Sequence, residues 1–235
     1  MRELEDRHWW FTGRRRIVAE MIRRLGLPPD ARLLDAGCGT GGNLALLAGF
    51  GEPVGAEYDA EAARLARARG VCEVVRAGLP HAMPFAPGRF DLVTLLDVLE
   101  HIEDDAASLR TLASLLAPGG HLLLTVPAFP FLWGPHDEAH HHHRRYRAAG
   151  LRAVIEGAGL KLQWQSYYNS SLFPAVAAVR LLHRLLPAGP VGDGLALPPA
   201  PVNALLEALF AAERHLLGRV RLPVGVSLIA VARRP

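Results

Sequence analysis

A glycine-rich stretch that follows an acidic residue is the first feature of this sequence that could bind a ligand. Asp35 ends a short apolar segment, and Gly37, Gly39, Gly41 and Gly42 follow it closely. Glycine adopts backbone conformations with positive φ and lets the main chain approach a ligand closely. In a parallel sheet, a turn between a strand and a helix lies at the carboxyl edge, where such sheets bind ligands. The pattern therefore predicts a cofactor site at this turn.

The carboxylate before the turn indicates which cofactor fits. Gly37-x-Gly39-x-x-Gly42 also matches the dinucleotide fingerprint, so an NAD(P)-dependent Rossmann oxidoreductase is an alternative. Asp35, however, would repel a pyrophosphate and would suit an ammonium or sulfonium group, and S-adenosylmethionine carries both. Glu57 follows the glycines by about 20 residues, where an acid hydrogen-bonds the ribose hydroxyls of an adenosine cofactor. Tyr58 could lie against the adenine.

Composition limits the partners and the location of the protein. The 235 residues fit one domain with an insertion, and the net charge is only +3. The arginines are scattered along the chain, which argues against a nucleic-acid partner. Cys38 and Cys72 lack metal-ligand spacing and fit a reducing compartment. No apolar run approaches the ~20 residues needed to span a bilayer, so we expect a cytoplasmic protein that is at most membrane-peripheral.

Apolar strand-like segments alternate with amphipathic segments, which predicts a doubly wound, Rossmann-like α/β fold. An N-terminal helix is expected over 12–25, after an aromatic cluster that contains Trp9 and Trp10. These aromatics either form a lid over the cofactor or pack the helix on the sheet. The expected organisation is an N-terminal lid helix in 1–30, a core formed by 31–169 and 219–235, and a helical insertion in 170–218.

Several motifs resemble those of the class I S-adenosylmethionine-dependent methyltransferases. Asp35-x-Gly-x-Gly-x-Gly resembles their first motif, and the run from Asp97 to His101 and Pro118-Gly-Gly120 are similar to the type 11 group. The resemblance covers 33–126 firmly. It implies a seven-stranded sheet whose final strand is antiparallel at the edge, with S-adenosylmethionine as cofactor and S-adenosylhomocysteine as product. The implied cofactor-binding residues are Asp35, Gly37, Cys38, Gly39, Gly41, Asn43, Glu57, Tyr58, Gly78, Leu79 and Asp97.

One position departs from this pattern. Many relatives carry an aspartate near position 77 or 78 that accepts a hydrogen bond from the adenine amino group, but Ala77-Gly78 stands here. The backbone at Gly78 and Leu79 would have to supply that contact.

The segment 127–146 is expected to be a loop that meets the methyl acceptor. A subset of type 11 relatives carries a His-Asp pair followed by His-x-Arg-Arg-Tyr, which matches His136-Asp137 and the run from His142 to Tyr146. Arginine binds carboxylate or phosphate through a planar fork, so Arg144 or Arg145 is expected to hold an anionic group of the acceptor. Alternatively, these arginines pair with surface acids. The residues expected to bind the acceptor are Trp133, Arg144, Arg145 and Tyr146.

Three histidines are candidates for a general base. His101, just beyond the fourth strand, is the first, and His136 and His142 follow; His101 could equally be a helix-start residue bonded to backbone. Glu100 could hold a metal or point to solvent. The run 140–143 contains four histidines, but adjacent side chains point in different directions, so no metal site is predicted there.

These features predict in-line methyl transfer to a small-molecule or lipid-linked acceptor, with O-methylation favoured. Alignment alone can supply up to ~7–11 kcal/mol, and a base adds about 10²–10⁴-fold for a hydroxyl acceptor. A non-catalytic S-adenosylmethionine-binding protein is the other alternative. The basic amphipathic segment 172–186 either contacts a membrane surface or packs on the domain or on a dimer mate, and the protein is expected to be a monomer or homodimer. A Pro/Gly-rich link is expected over 189–201.

Overall fold

The computed structural model describes residues 2–81, 83–185 and 196–235. Most of the predicted link, 189–195, and Leu186 at the end of the predicted amphipathic segment lie outside these residues. The helices are α1 (Arg2–Arg7), α2 (Trp9–Arg23), α3 (Leu44–Leu47), α4 (Ala60–Arg67), α5 (Asp105–Leu115), α6 (Pro135–Ala139), α7 (Ala148–Gly157), α8 (Phe173–Leu185) and α9 (Ala200–Ala212). The strands are β1 (Arg32–Ala36), β2 (Glu52–Glu57), β3 (Val74–Arg76), β4 (Phe90–Leu96), β5 (Leu116–Pro127), β6 (Lys161–Tyr168) and β7 (Ser227–Arg233).

The strands form one seven-stranded sheet in the order β3-β2-β1-β4-β5-β7-β6. The first five strands run parallel, and β7 is antiparallel to both β5 and β6. The prediction of a doubly wound, Rossmann-like seven-stranded sheet is confirmed, as is the antiparallel direction of the final strand.

The position of the final strand differs from the expectation. β7 lies one place inside the sheet, and β6 occupies the edge. The residues explain this order. β7 is buried at every position except its last residue, as an interior strand must be, whereas the exposed and half-buried residues of β6 tolerate solvent along one side.

The parallel register brings the ends of separate strands to the same edge. Asp35 on β1 is level with Gly55 on β2 and Thr94 on β4. The turns after β1, β2, β4 and β5 therefore all open at the carboxyl edge of the sheet, which is the ligand-binding edge of such folds.

Helix α2 is fixed on one face of this sheet. Ile17 and Met21 are buried in a cluster with Leu33 of β1 and Leu92 of β4. The helix begins at Trp9, before the predicted start at Thr12, because the side chain of His8 caps its first turn. Its first residues thus extend over the carboxyl edge while its middle is anchored in the core.

The aromatic cluster joins α2 to α9. The ring of Trp10 stacks on Phe210 with centroids 5.0 Å apart, and Trp9 meets Phe210 edge-on at 5.8 Å. The packing interpretation of these aromatics is therefore correct. Both tryptophans also line the large cavity at the carboxyl edge, so the lid interpretation stays a prediction beside the packing.

Helices α8 and α9 expose apolar side chains. Val179 and Leu182 on α8 and Leu205 and Leu209 on α9 are among the most exposed large apolar residues of the chain. Within the described ranges, no helix has both the length and the apolar character needed to cross a membrane.

Candidate functional site

A cavity of about 620 Å³ lies along the carboxyl edge of the sheet. Its floor is the glycine-rich turn and the end of β4, its roof is formed by α1 and α2, and its far wall combines the loop after β5 with α8. Residues from six separate stretches of sequence thus meet in one space large enough for a ligand of drug size.

The glycine-rich turn, where the sequence predicts the cofactor, forms one part of the cavity wall. Gly37, Gly39 and Gly41 have φ values of +76°, +56° and +83°, which disfavour residues with a Cβ. Gly37, Cys38, Gly39 and Asn43 line the cavity. Gly41 instead packs against α4, as shown by the position of a Cβ built on it, which would lie 3.2 Å from Ala66.

Asp35 lies beneath the turn and is not among the residues that line the cavity. Its Oδ1 accepts a hydrogen bond of 2.7 Å from Thr94, and its Oδ2 has no hydrogen-bond partner in the described part of the chain. Burial raises the pKa of Asp35 to about 6, although the hydrogen bond from Thr94 and the charge of Arg14 act to lower it; Glu57 and Glu5 raise it further. Asp35 can therefore influence a ligand through its charge, but the structure does not place it in direct reach.

We expect Asp35→Asn to stabilise the free protein at pH 8. The native pKa of about 6 is above the ordinary value of 3.8, so the native state binds the proton more tightly than the unfolded state. The free energy of unfolding then falls as pH rises from about 4 to about 6 and stays lower above that range, by at most about 3 kcal/mol. Denaturant unfolding of both proteins at pH 5 and pH 8 measures this; a variant that is less stable than the parent at pH 8 contradicts it.

The predicted ribose and adenine residues lie beside the turn and do not line the cavity. Glu57 accepts hydrogen bonds of 2.8 Å from the N–H groups of Gly39 and Asp59, so its carboxylate fixes the turn in this structure. Tyr58 is 76% exposed, and its ring covers Gly78, where an added Cβ would lie 2.6 Å from Tyr58 Cδ2. Leu79 packs against the core.

An ion pair at the end of β4 forms part of the cavity wall. Asp97 has a left-handed backbone with φ +55°, which aims its carboxylate at Arg14 of α2 and lets it accept a 3.1 Å hydrogen bond from Thr125. Both partners line the cavity. The sequence marked Asp97 but gave no sign of Arg14, because only the docking of α2 on the sheet brings it there.

Glu5 of α1 adds a second carboxylate at the turn. It accepts a hydrogen bond from the Thr40 hydroxyl, forms a 3.3 Å ion pair with Arg69, and lines the cavity. The sequence placed this segment in the predicted lid helix of 1–30 but did not single out Glu5.

Asp137 organises the far wall. This fully buried carboxylate accepts hydrogen bonds of 2.8 Å from Arg145 Nε and 2.9 Å from the Gly134 N–H, and its Oδ1 lies 2.9 Å from His142 Nδ1. Burial would raise its pKa, but the hydrogen bonds from His142 and Arg145 hold the pKa of Asp137 at about 2. An ionised Asp137 therefore favours the His142 tautomer with the proton on Nδ1.

The candidate bases gather beside this anchor. The rings of His101 and His142 are centred 4.6 Å apart, and His136 lies 6.0 Å from His142. All three line the cavity, together with Glu100 and His140. Burial, assisted by His142, lowers the pKa of His101 to about 4, so this imidazole is neutral at pH 7. Burial and the nearby Asp97 raise the pKa of Glu100.

Only one of the four predicted acceptor residues reaches the cavity. Arg145 lines it, although its guanidinium is held by Asp137 and the Ala128 carbonyl. Arg144 pairs with Asp105 at 2.9 Å, which is the surface-pair alternative. The Tyr146 hydroxyl donates to the same Asp105 at 2.8 Å from a buried position, and Trp133 does not line the cavity.

Arg180 of α8 and Arg15 of α2 also line the cavity. Arg180 Nη1 lies 3.8 Å from Asp137 Oδ2. The sequence predicted a basic amphipathic segment over 172–186, but only the packing of α8 brings its Arg180 to the site.

Comparisons with known proteins agree with this geometry. A family model described as a methyltransferase domain matches residues 10–165. The chain is 32% identical over 152 residues to a ubiquinone biosynthesis O-methyltransferase of Xanthomonas euvesicatoria, a match that covers 57% of this chain and 64% of that protein. It is 35% identical over 121 residues to a demethylmenaquinone methyltransferase of Mycolicibacterium vanbaalenii, covering 51% of this chain and 49% of that protein.

The matches to the ubiquinone enzymes of Xanthomonas span 44% to 65% of those proteins. Among solved structures, geranyl diphosphate methyltransferase in complex with S-adenosylmethionine superposes with a TM-score of 0.60 at 17% identity, covering 94% of this chain and 85% of that chain. At that identity the likeness concerns the fold.

Proposed function

This chain belongs to the methyltransferase domain family; from that premise we propose that it transfers a methyl group from S-adenosylmethionine to an oxygen of a small or lipid-linked acceptor. The relatives named for ubiquinone biosynthesis support an oxygen acceptor. Membership of this family also argues against an NAD(P)-dependent oxidoreductase, the alternative that the glycine spacing left open.

The observation that carries the proposal is the continuity of the cavity. The glycine turn, the group of His101, His136 and His142, and the Asp97–Arg14 pair all line this one cavity. We place the donor at the turn and the acceptor at the histidines. A donor on the turn would direct its methyl group along the cavity, and an acceptor hydroxyl would enter beside the imidazoles. Such an arrangement aligns nucleophile, methyl carbon and sulfur, which is the main requirement of in-line transfer.

The walls of the cavity support an acceptor with an apolar part. Val176 and Val179 of α8 line it, and Leu182, one turn further, is exposed outside it. An apolar chain attached to the acceptor could therefore leave along α8 towards the surface of α8 and α9. Contact of 172–186 with a membrane that carries the acceptor belongs to the same proposal.

Two binding measurements and one turnover measurement test the function. Calorimetry should show S-adenosylhomocysteine binding to the purified protein and no comparable heat with NAD. Incubation with methyl-labelled S-adenosylmethionine and phenolic acceptors, with and without an isoprenoid tail, should transfer label to the acceptor. Tight cofactor binding without transfer to any phenol, lipid extract or sugar would instead favour the non-catalytic binding protein.

The pH dependence of donor binding tests the part assigned to Asp35. The ionised carboxylate attracts the cationic donor, so S-adenosylmethionine affinity should rise with pH through about 6. The charged groups near Asp35 are Arg14 on α2, Glu57 on β2 and Glu5 on α1. Asp35→Asn should remove this rise; a variant that keeps the same pH profile shows that another of these groups is responsible.

A further inference from the structure

Glu100, His101 and His142 bring metal-binding atoms together at the acceptor end of the cavity. One nitrogen or oxygen from each of the three lies within 4.8 Å of the other two, and all three line the cavity. Two imidazoles and a carboxylate are a donor set that suits first-row divalent transition metals. We propose that these three residues bind a divalent transition-metal ion such as Zn²⁺ or Mn²⁺, which holds the acceptor's oxygen.

The state of Glu100 is an independent indication of a ligand. The residue is 1% exposed, and its Oε2 has no hydrogen-bond partner in the part of the chain that the structure describes. An unsatisfied carboxylate oxygen is costly to bury. The guanidinium groups nearest to it are already engaged, Arg14 by Asp97 and Arg145 by Asp137. A metal ion would satisfy the remaining oxygen.

The surroundings of the two histidines are those of metal ligands. His142 Nδ1 is held 2.9 Å from the ionised Asp137, which leaves Nε2 as the nitrogen that can bind an ion. A carboxylate behind a ligating histidine is the usual outer partner of such sites. The ring of His101 is oriented by a hydrogen bond to the backbone of His140.

A backbone contact explains why distant segments form one site. The N–H of His143 donates a 2.7 Å hydrogen bond to the carbonyl of Glu100. This bond ties the loop after β5 to the turn after β4 and sets His142 beside His101. The proposed site takes only His142 from the histidine run and combines it with Glu100 and His101, which follow β4. Adjacent histidines that point in different directions therefore do not exclude this site.

The ion would activate the acceptor within the proposed reaction, on which this inference rests. The acceptor's hydroxyl oxygen coordinates the ion, and its proton leaves to solvent water. A lone pair of that oxygen forms the bond to the methyl carbon as the carbon–sulfur bond breaks. The electron pair of the broken bond remains on sulfur and neutralises the sulfonium, and the oxidation state of the ion does not change.

Mn²⁺ binding to the full-length protein tests the site directly. After removal of bound metal with a chelator, Mn²⁺ alone is titrated in and followed by calorimetry and electron paramagnetic resonance. We expect stoichiometric binding in the parent. Loss of an outer partner typically weakens a metal site by about 10–100-fold, so loss of a ligand in Glu100→Gln or His101→Gln should weaken binding by at least that much. His101 is partly exposed, so its variant tests the site even where Glu100→Gln fails to fold.

His143→Gln is the matched control. It belongs to the same histidine run but does not line the cavity, and it should bind Mn²⁺ like the parent. If His143→Gln weakens binding as much as the ligand variants do, the ion binds the histidine run and the proposed site is wrong. Parent protein that binds no Mn²⁺ or Zn²⁺ overturns it as well.

Cofactor binding on the same samples separates this inference from the proposed function. His101→Gln should keep S-adenosylhomocysteine affinity within about twofold while it loses the ion, because the glycine turn is untouched. Full methyl transfer by the metal-free parent would overturn the metal's role and leave the methyltransferase assignment intact. Stoichiometric metal with no transfer to any acceptor oxygen would overturn the acceptor assignment and leave the metal site.

Discussion

Replacement of Asp137 by alanine is expected to lower the free energy of unfolding by about 3–5 kcal/mol, because it leaves a buried guanidinium without its counter-ion. Asp137 is fully buried, and Arg145, which donates to it at 2.8 Å, is also buried. The same substitution removes the acceptor of the Gly134 N–H and the partner of His142 Nδ1. Each buried group left unsatisfied adds to the loss. Denaturant unfolding followed by circular dichroism measures the difference.

Glu138→Ala is the control for this prediction. Glu138 is the next residue of the same helix, carries the same charge and is exposed, so its removal should leave the unfolding midpoint nearly unchanged. Asp137→Ala should also abolish methyl transfer, because His142 loses the contact that orients its ring. A variant as stable as Glu138→Ala would show that solvent, not Asp137, satisfies Arg145.

Replacement of Gly37 by alanine is expected to weaken S-adenosylhomocysteine binding at least about tenfold, a change of ~1.4 kcal/mol. Gly37 has φ +76°, where a residue with a Cβ is less stable by about 1–2 kcal/mol. The new Cβ would also lie 2.6 Å from a methyl carbon of Val98, and such overlap costs typically about 1–3 kcal/mol. The turn must move to relieve it, and the turn is the cofactor end of the cavity. Calorimetric titration measures the affinity.

Two further variants isolate the cause. Gly88→Ala carries a similar backbone cost at φ +70°, but no atom of the described residues lies within 4 Å of the added Cβ; it should lower stability and leave cofactor affinity unchanged. Adding Val98→Ala to Gly37→Ala removes both overlapping methyl groups and should recover part of the affinity. If the double variant binds no better than Gly37→Ala, the contact with Val98 does not set the position of the turn.

The glycine turn, whose role in cofactor binding stays a prediction, could be recognised from residue types alone. Positive φ at Gly37, Gly39 and Gly41 is a local property, because glycine alone adopts it without strain. Glu57 follows from the same logic, since it ends the neighbouring parallel strand and reaches the turn at 2.8 Å from the Gly39 N–H. The strand order was harder to derive. β7 lies between β5 and β6, and which of the last two strands occupies the edge depends on which one is buried on both sides.

The acceptor half depended on contacts between residues far apart in sequence. The spacing of His142, Arg144 and Arg145 gave no reason to prefer one arginine, yet Arg144 faces Asp105 and Arg145 faces the buried Asp137. Arg14 and Arg180 reach the cavity from two helices that are far apart in the sequence. Periodicity can assign such a residue to a face of its helix but not to the cavity, because that position follows from how the whole helix docks.

The sequence by itself determined the parallel sheet, the glycine turn and the class of chemistry, since strand period, turn conformation and the acids at strand ends are set by neighbouring residues. Tertiary structure alone decided that Asp35 lies under the turn, that Asp97 pairs with Arg14, and that His142 joins Glu100 and His101. The physical reason is that backbone conformation is a local property, whereas the partner of a buried charge is chosen by desolvation across the folded chain.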